Sequence, residues 1–182
     1  MNRKTFAAVA VMTLAIAAFA GMNNPVVGGQ QMYPTKNIIE NAVNSADHTT
    51  LVAAVKAAGL VETLEGTGPF TVFAPTNEAF SKLPSGTVET LLKPENKATL
   101  TKVLTYHVVA GRISAHDLMK MIKEGKGKAE LTTVEGGKLW AMENGKTIML
   151  KDEKGGTATV TIANVFQSNG VIHVIDTVVM PN

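Results

Sequence analysis

The sequence predicts an α+β fold, with helices gathered ahead of a run of antiparallel strands. Helical periodicity with capping residues runs from Thr35 to about Gly125. Beyond it, alternating strands are punctuated by the doublets Gly136-Gly137, Asn144-Gly145, Gly155-Gly156 and Asn169-Gly170, each a tight-turn signal. Only one strand, Phe70–Phe73, is read ahead of them. That segregation argues against the strand-helix alternation of a parallel α/β sheet. No internal repeat is visible, so the pattern describes one copy of one domain.

The elements follow in order. Thr35 is read as the cap of a helix whose Ile38, Ile39, Ala42 and Val43 share a face. A second helix runs over residues 49–58 with Leu51, Val52 and Val55 inward, closed by Gly59 in the left-handed conformation. "GPFTVFAPTNEAF" reads as a short buried strand, a turn at Ala74-Pro75, and a helix capped by Thr76 with Glu78 in its first turn. Helices are predicted over 87–92 and 94–106, the latter opening on Pro94. After Val108, Val109 and Gly111, Ser114 and Asp117 have the spacing of a capping box for a last helix that ends at Gly125.

Outside this pattern lie the first 34 residues. Arg3 and Lys4 precede an uncharged run to Ala20 that closes on Ala18-Phe19-Ala20, the form of a signal peptide over residues 1–20. No cysteine follows the run, so a lipid anchor there is not expected. Residues 21–34, "MNNPVVGGQQMYP" from Met22 on, read as a flexible leader, leaving the domain over 35–182. Cleavage after Ala20 lowers the 17 Lys and Arg to 15, against 15 Asp and Glu. A balanced surface argues against nucleic-acid binding, which needs a concentrated positive footprint. The chain has no cysteine, which excludes thiol catalysis, disulfides and thiolate metal sites. Export to the periplasm or the extracellular space is expected, with no membrane-spanning segment in the mature protein.

Three segments taken together resemble a known family. "FTVFAPTNEAF" (Phe70–Phe80), "YHVV" (Tyr106–Val109) and "NGVIHVIDTVVMP" (Asn169–Pro181) are similar to the first box, the central Tyr-His pair and the second box of fasciclin-type (FAS1) domains, in matching order. The resemblance covers Tyr33 to Pro181 and is closest to single-domain secreted bacterial members. It implies a β-sandwich or wedge of mostly antiparallel strands flanked by helices. It also implies adhesion or association with a cell-surface or matrix protein or polysaccharide, without a cofactor.

Residue by residue, the binding candidates are Tyr106, His107, Asn77, Glu78, Lys120, Lys123, Lys126 and Lys128. Tyr106 and His107 interrupt the apolar run "VLTYHVVAG". A buried histidine can donate from one ring nitrogen and accept at the other, pinning two segments, so a structural reading stands beside recognition. Asn77 and Glu78 offer a polar patch or a helix cap. "KMIKEGKGK" brings four lysines around a glycine-rich loop, suited to anionic glycans or lipid heads or simply to solvent.

Catalysis finds little to stand on. His48, His107, His116 and His173 fall in separate segments without metal-ligand spacing. No G-x-S-x-G, P-loop or dinucleotide fingerprint occurs, and His116-Asp117 is better read as a helix start. His173 and Asp176, in "VIHVIDTVV", are read as structural. The reading is a non-enzymatic adhesion or interaction module, able to gain avidity by self-association. The alternative is a small-molecule or lipid carrier with Leu131, Trp140, Met142, Met149 and Leu150 lining a cleft.

Overall fold

A computed structural model describes residues 24–182; the expected signal peptide lies outside them. In chain order the elements are β1 (Val26–Val27), β2 (Gln30–Gln31), α1 (Ile38–Ala42), α2 (Thr49–Ala58), α3 (Val61–Glu65), β3 (Phe70–Pro75), α4 (Asn77–Ser81), α5 (Thr87–Leu91), α6 (Lys97–Tyr106), β4 (Val108–Ala110), α7 (Ala115–Glu124), β5 (Lys128–Thr132), β6 (Lys138–Asn144), β7 (Thr147–Lys151), β8 (Thr157–Gln167) and β9 (Gly170–Ile175). Short 3-10 turns at Ala46–His48 and Pro94–Asn96 lead into α2 and α6.

Strands β3 to β9 form one seven-stranded sheet in the order β4-β3-β9-β8-β7-β6-β5, antiparallel except where β3 runs beside β9. The expected α+β class with mostly antiparallel strands is therefore what forms. The sheet bends far enough for its ends to meet. Val109 of β4 bridges Thr133 just past β5, and Val134 N–H donates to the Val108 carbonyl at 2.8 Å.

Burial on both faces sets the character of β3 and β9, whose residues from Thr71 and Gly170 onward are all buried. One core lies under α1, α2 and α6 and takes Val72, Ala74, Val165, Ile172 and Val174. The other lies under α7 and takes Phe73, Ala158, Val160, Ile175, Leu131, Leu139 and Leu150. Alternate residues of β3 and β9 thus serve opposite cores, as a period of two requires.

Several predicted boundaries move. Asn37, with Glu40, makes the capping box of α1 in place of Thr35. Strand β3 continues through Pro75, which pairs with Ile175 where a turn was expected. Helix α3 and strand β4 were not read as elements. Residues 24–34, read as a flexible leader, are bonded into the domain. Asn24 exchanges two hydrogen bonds with the Phe166 backbone, and Asn41 holds both the N–H and the carbonyl of Tyr33. Val27 and Met32 reach the first core. Two apolar anchors in a polar stretch have no helical or strand period, which is why the pattern missed them.

Asn169 and Gly170 fasten the crossover. Asn169 Oδ1 accepts from Ile38 N–H (3.0 Å), and its Nδ2 donates to the carbonyls of Leu64 (2.7 Å) and Gly66 (2.8 Å). A Cβ on Gly170 would sit 2.1 Å from the Phe70 carbonyl oxygen, and backbone cannot swing aside as a side chain can. Gly170→Ala is therefore expected to lower stability by at least ~1–3 kcal/mol, seen as a lower urea midpoint; an unchanged midpoint would show that this approach is not tight.

Candidate functional site

The Tyr-His pair stands where the two cores meet. Helix α6 sends Leu100, Val103 and Leu104 into the first core and Tyr106 into the second, and Val108 and Val109 divide the same way. Tyr106 is fully buried. Its hydroxyl donates to the Lys138 carbonyl at 2.5 Å and accepts from Glu153 N–H at 3.2 Å. Gly137 lets the ring lie against the chain, since a Cβ there would come within 3.0 Å of it.

His107, 2 % exposed, faces the other way. Its Nδ1–H donates to the Val103 carbonyl (2.8 Å), and Nε2 accepts from Val179 N–H (3.2 Å). Those partners fix one tautomer of a neutral ring. Burial pushes its pKa down to about 4, and burial, aided by the negative charges of Glu153, Asp152 and Glu135 and opposed by the Glu153 N–H bond, holds the Tyr106 phenol up at about 12. Neither ring presents a polar atom to solvent, so on the folded surface both act as fasteners.

His173 is a third such ring. Its Nε2–H donates to the Ile113 carbonyl (2.8 Å), and Nδ1 accepts from Asn164 N–H (3.3 Å). Asn164 sits at φ 60° in the irregular part of β8, and its Oδ1 accepts from Ala115 N–H at the start of α7. Asp176 bonds Thr159 N–H through its side chain, while its carbonyl receives Lys82 Nζ just after the first box.

Asn77 is likewise spent inside the fold. It accepts from Thr50 N–H (2.9 Å) and donates to the Ala46 carbonyl (2.9 Å), capping α2 across the chain. Glu78 is exposed beside it. All four lysines of the α7 end are exposed. Lys120 makes an open ion pair with Glu124 (3.9 Å), and Lys128 lies over Trp140 at 5.6 Å. Lys123 joins His116, Met119 and Lys146 around a groove of about 480 Å³. Lys146 comes from the β6–β7 turn, a juxtaposition that sequence spacing does not reveal.

The cleft expected along Leu131, Trp140, Met142, Met149 and Leu150 does not form. Leu131 and Leu150 are core residues beneath α7, whereas Trp140, Met142 and Met149 alternate onto the other face of the sheet. An apolar crevice exists elsewhere, lined by Val27, Ile38, His48, Leu51, Val72 and Val108 among others. No group of His, Asp or Glu able to hold a metal ion occurs among the described residues, and no helix there is long and apolar enough to cross a membrane.

Replacing His107 by Ala leaves Val179 N–H buried without a partner. The expected cost is ~1–3 kcal/mol, a drop of several degrees in thermal midpoint by circular dichroism; an unchanged midpoint would free the ring for recognition. pH dependence follows from the same burial. His48, His107 and His173 are all held below the ordinary histidine pKa of 6.5 by desolvation. Below 6.5 the unfolded chain binds protons that the native rings refuse, so the stabilisation is complete above 6.5 and falls as pH drops toward about 4. Urea titrations at pH 7 and pH 4.5 should show a lower midpoint at the acid end, and His107→Gln should flatten the slope.

Comparison with known proteins agrees with this architecture. A family model described as the fasciclin domain matches residues 46–181. Protein sll1483 of Synechocystis is 50 % identical over 145 residues, spanning 79 % of this chain and 73 % of that one. Immunogenic protein MPB70 of Mycobacterium bovis is 37 % identical over 77 % of this chain and 66 % of its own. Among solved structures, a FAS1 domain pair from the insect cell adhesion molecule Fasciclin I superposes with a TM-score of 0.69 at 20 % identity. The match covers 78 % of this chain and half of that one, showing a shared fold. The chain belongs to the fasciclin domain family.

Proposed function

We propose that the protein is an exported, non-enzymatic interaction module that binds an anionic polysaccharide or protein surface at a cell envelope or matrix. The observation that carries this is the lysine end of α7, where Lys120 and Lys123 on the helix, Lys126 in the following turn and Lys128 at the start of β5 are all exposed. Among the described residues, Glu124 is the one acid within ion-pair distance of any of them, and that pair is too exposed to neutralise the patch. Membership of a family that includes an insect cell adhesion molecule supports the reading. Glu78, on the far box, offers a second exposed contact. A single domain presents one main face, so clustering or self-association would supply avidity.

Retention on an immobilised sulfated polysaccharide tests it. Wild type should bind at low salt and be released as the Debye length shrinks toward ~3 Å near 1 M. The quadruple Lys→Ser variant should fold normally and pass through unretained. Equal retention of both proteins would dispose of the lysine face.

A further inference from the structure

Between the helical layer and the sheet face carrying Val72, Ala74, Val165 and Ile172 lies a crevice with about 60 Å³ of free volume. Val134, one of its lining residues, is 48 % exposed, so the crevice reaches the surface there. Its wall is hydrocarbon apart from Ser45, His48, Thr63, Thr105 and His107. Nearly every polar group among these is accounted for. Both His107 nitrogens are bonded, Thr105 Oγ1 donates to the Thr101 carbonyl at 2.7 Å, and Thr63 stands at the exposed rim.

His48 is the exception. The residue is 3 % exposed, its Nδ1 lies 2.8 Å from Ser45 Oγ, and its Nε2 has no hydrogen-bond partner. The Ala74 carbonyl approaches the ring without completing a bond to Nε2. Native proteins seldom leave such a group unpaired.

We propose that the crevice binds a slim, mainly hydrocarbon molecule whose single carbonyl or ether oxygen accepts a hydrogen bond from His48 Nε2–H, with its chain leaving past Val134. Burial keeps the ring neutral, so it carries one N–H. With the Ser45 hydroxyl donating to Nδ1, that proton sits on Nε2. The remaining contacts are to Leu51, Val55, Leu104 and Val108, which reward hydrocarbon and reject charge. This site is separate from the lysine face and does not depend on it.

Titration of the full chain, with labelled methyl groups, by 2-octanone and by octane in solution NMR tests the proposal. The ketone is expected to shift the His48 Nε2–H and the methyls of Leu51, Val55 and Leu104, and to bind at least fivefold more tightly than the alkane. His48→Phe, which keeps an apolar ring in place, should abolish that preference. Val134→Glu, at the half-exposed mouth, should weaken both ligands while leaving the fold intact. Absence of methyl shifts with either ligand, equal affinities in wild type, or unchanged binding in Val134→Glu would each overturn the site.

Discussion

Two adjacent rings at the end of α6 decide how the halves of this molecule sit on each other. Tyr106 ties the helix to β6 and to the turn before β8, and His107 ties it to the C-terminal segment. One helix terminus therefore holds three distant stretches in register. Each bond is made away from water, where it is strong if satisfied and expensive if broken. Asp152 and Glu153 extend the junction by accepting from Met180 N–H and Asn182 N–H. The chain end is thereby fixed to the strand half without a covalent bond.

Asparagine takes over much of the tethering that disulfides perform in many small domains. Asn24, Asn41, Asn77, Asn164 and Asn169 each bond the backbone of a segment remote from their own. An amide carries a donor and an acceptor on one short arm, so it can satisfy an N–H and a C=O at a crowded corner. Asn169 does so for α1 and α3 together. With no cysteine in the chain, these corners and the two cores carry the fold.

The fold class was legible because its signals are local. Gly59, Thr76 and the Ser114–Asp117 box cap their helices as read. What escaped depends on contacts remote in sequence. Val27 and Met32 look like loop residues until Asn24 and Asn41 bring them to the core. Met142 and Leu131 share apolarity but lie on opposite faces, so composition alone could not say which of them lined a cleft. Lys146 and His48 acquire interest only through neighbours that folding supplies. The Tyr-His pair was visible as an anomaly in an apolar run, but its partners, Lys138 and Val179, were not.

The meeting of β4 with the chain beyond β5 bears on how this domain can associate. An open sheet offers bare N–H and C=O groups onto which a foreign strand can be added. Here the Val108 carbonyl already accepts from Val134 N–H and Val109 bridges Thr133, so the sheet is stitched to itself at this seam. A partner meeting the molecule along this seam is read by protruding side chains rather than by main-chain pairing. Copies of the domain crowded together accordingly lack, along this seam, the simplest route to runaway polymerisation.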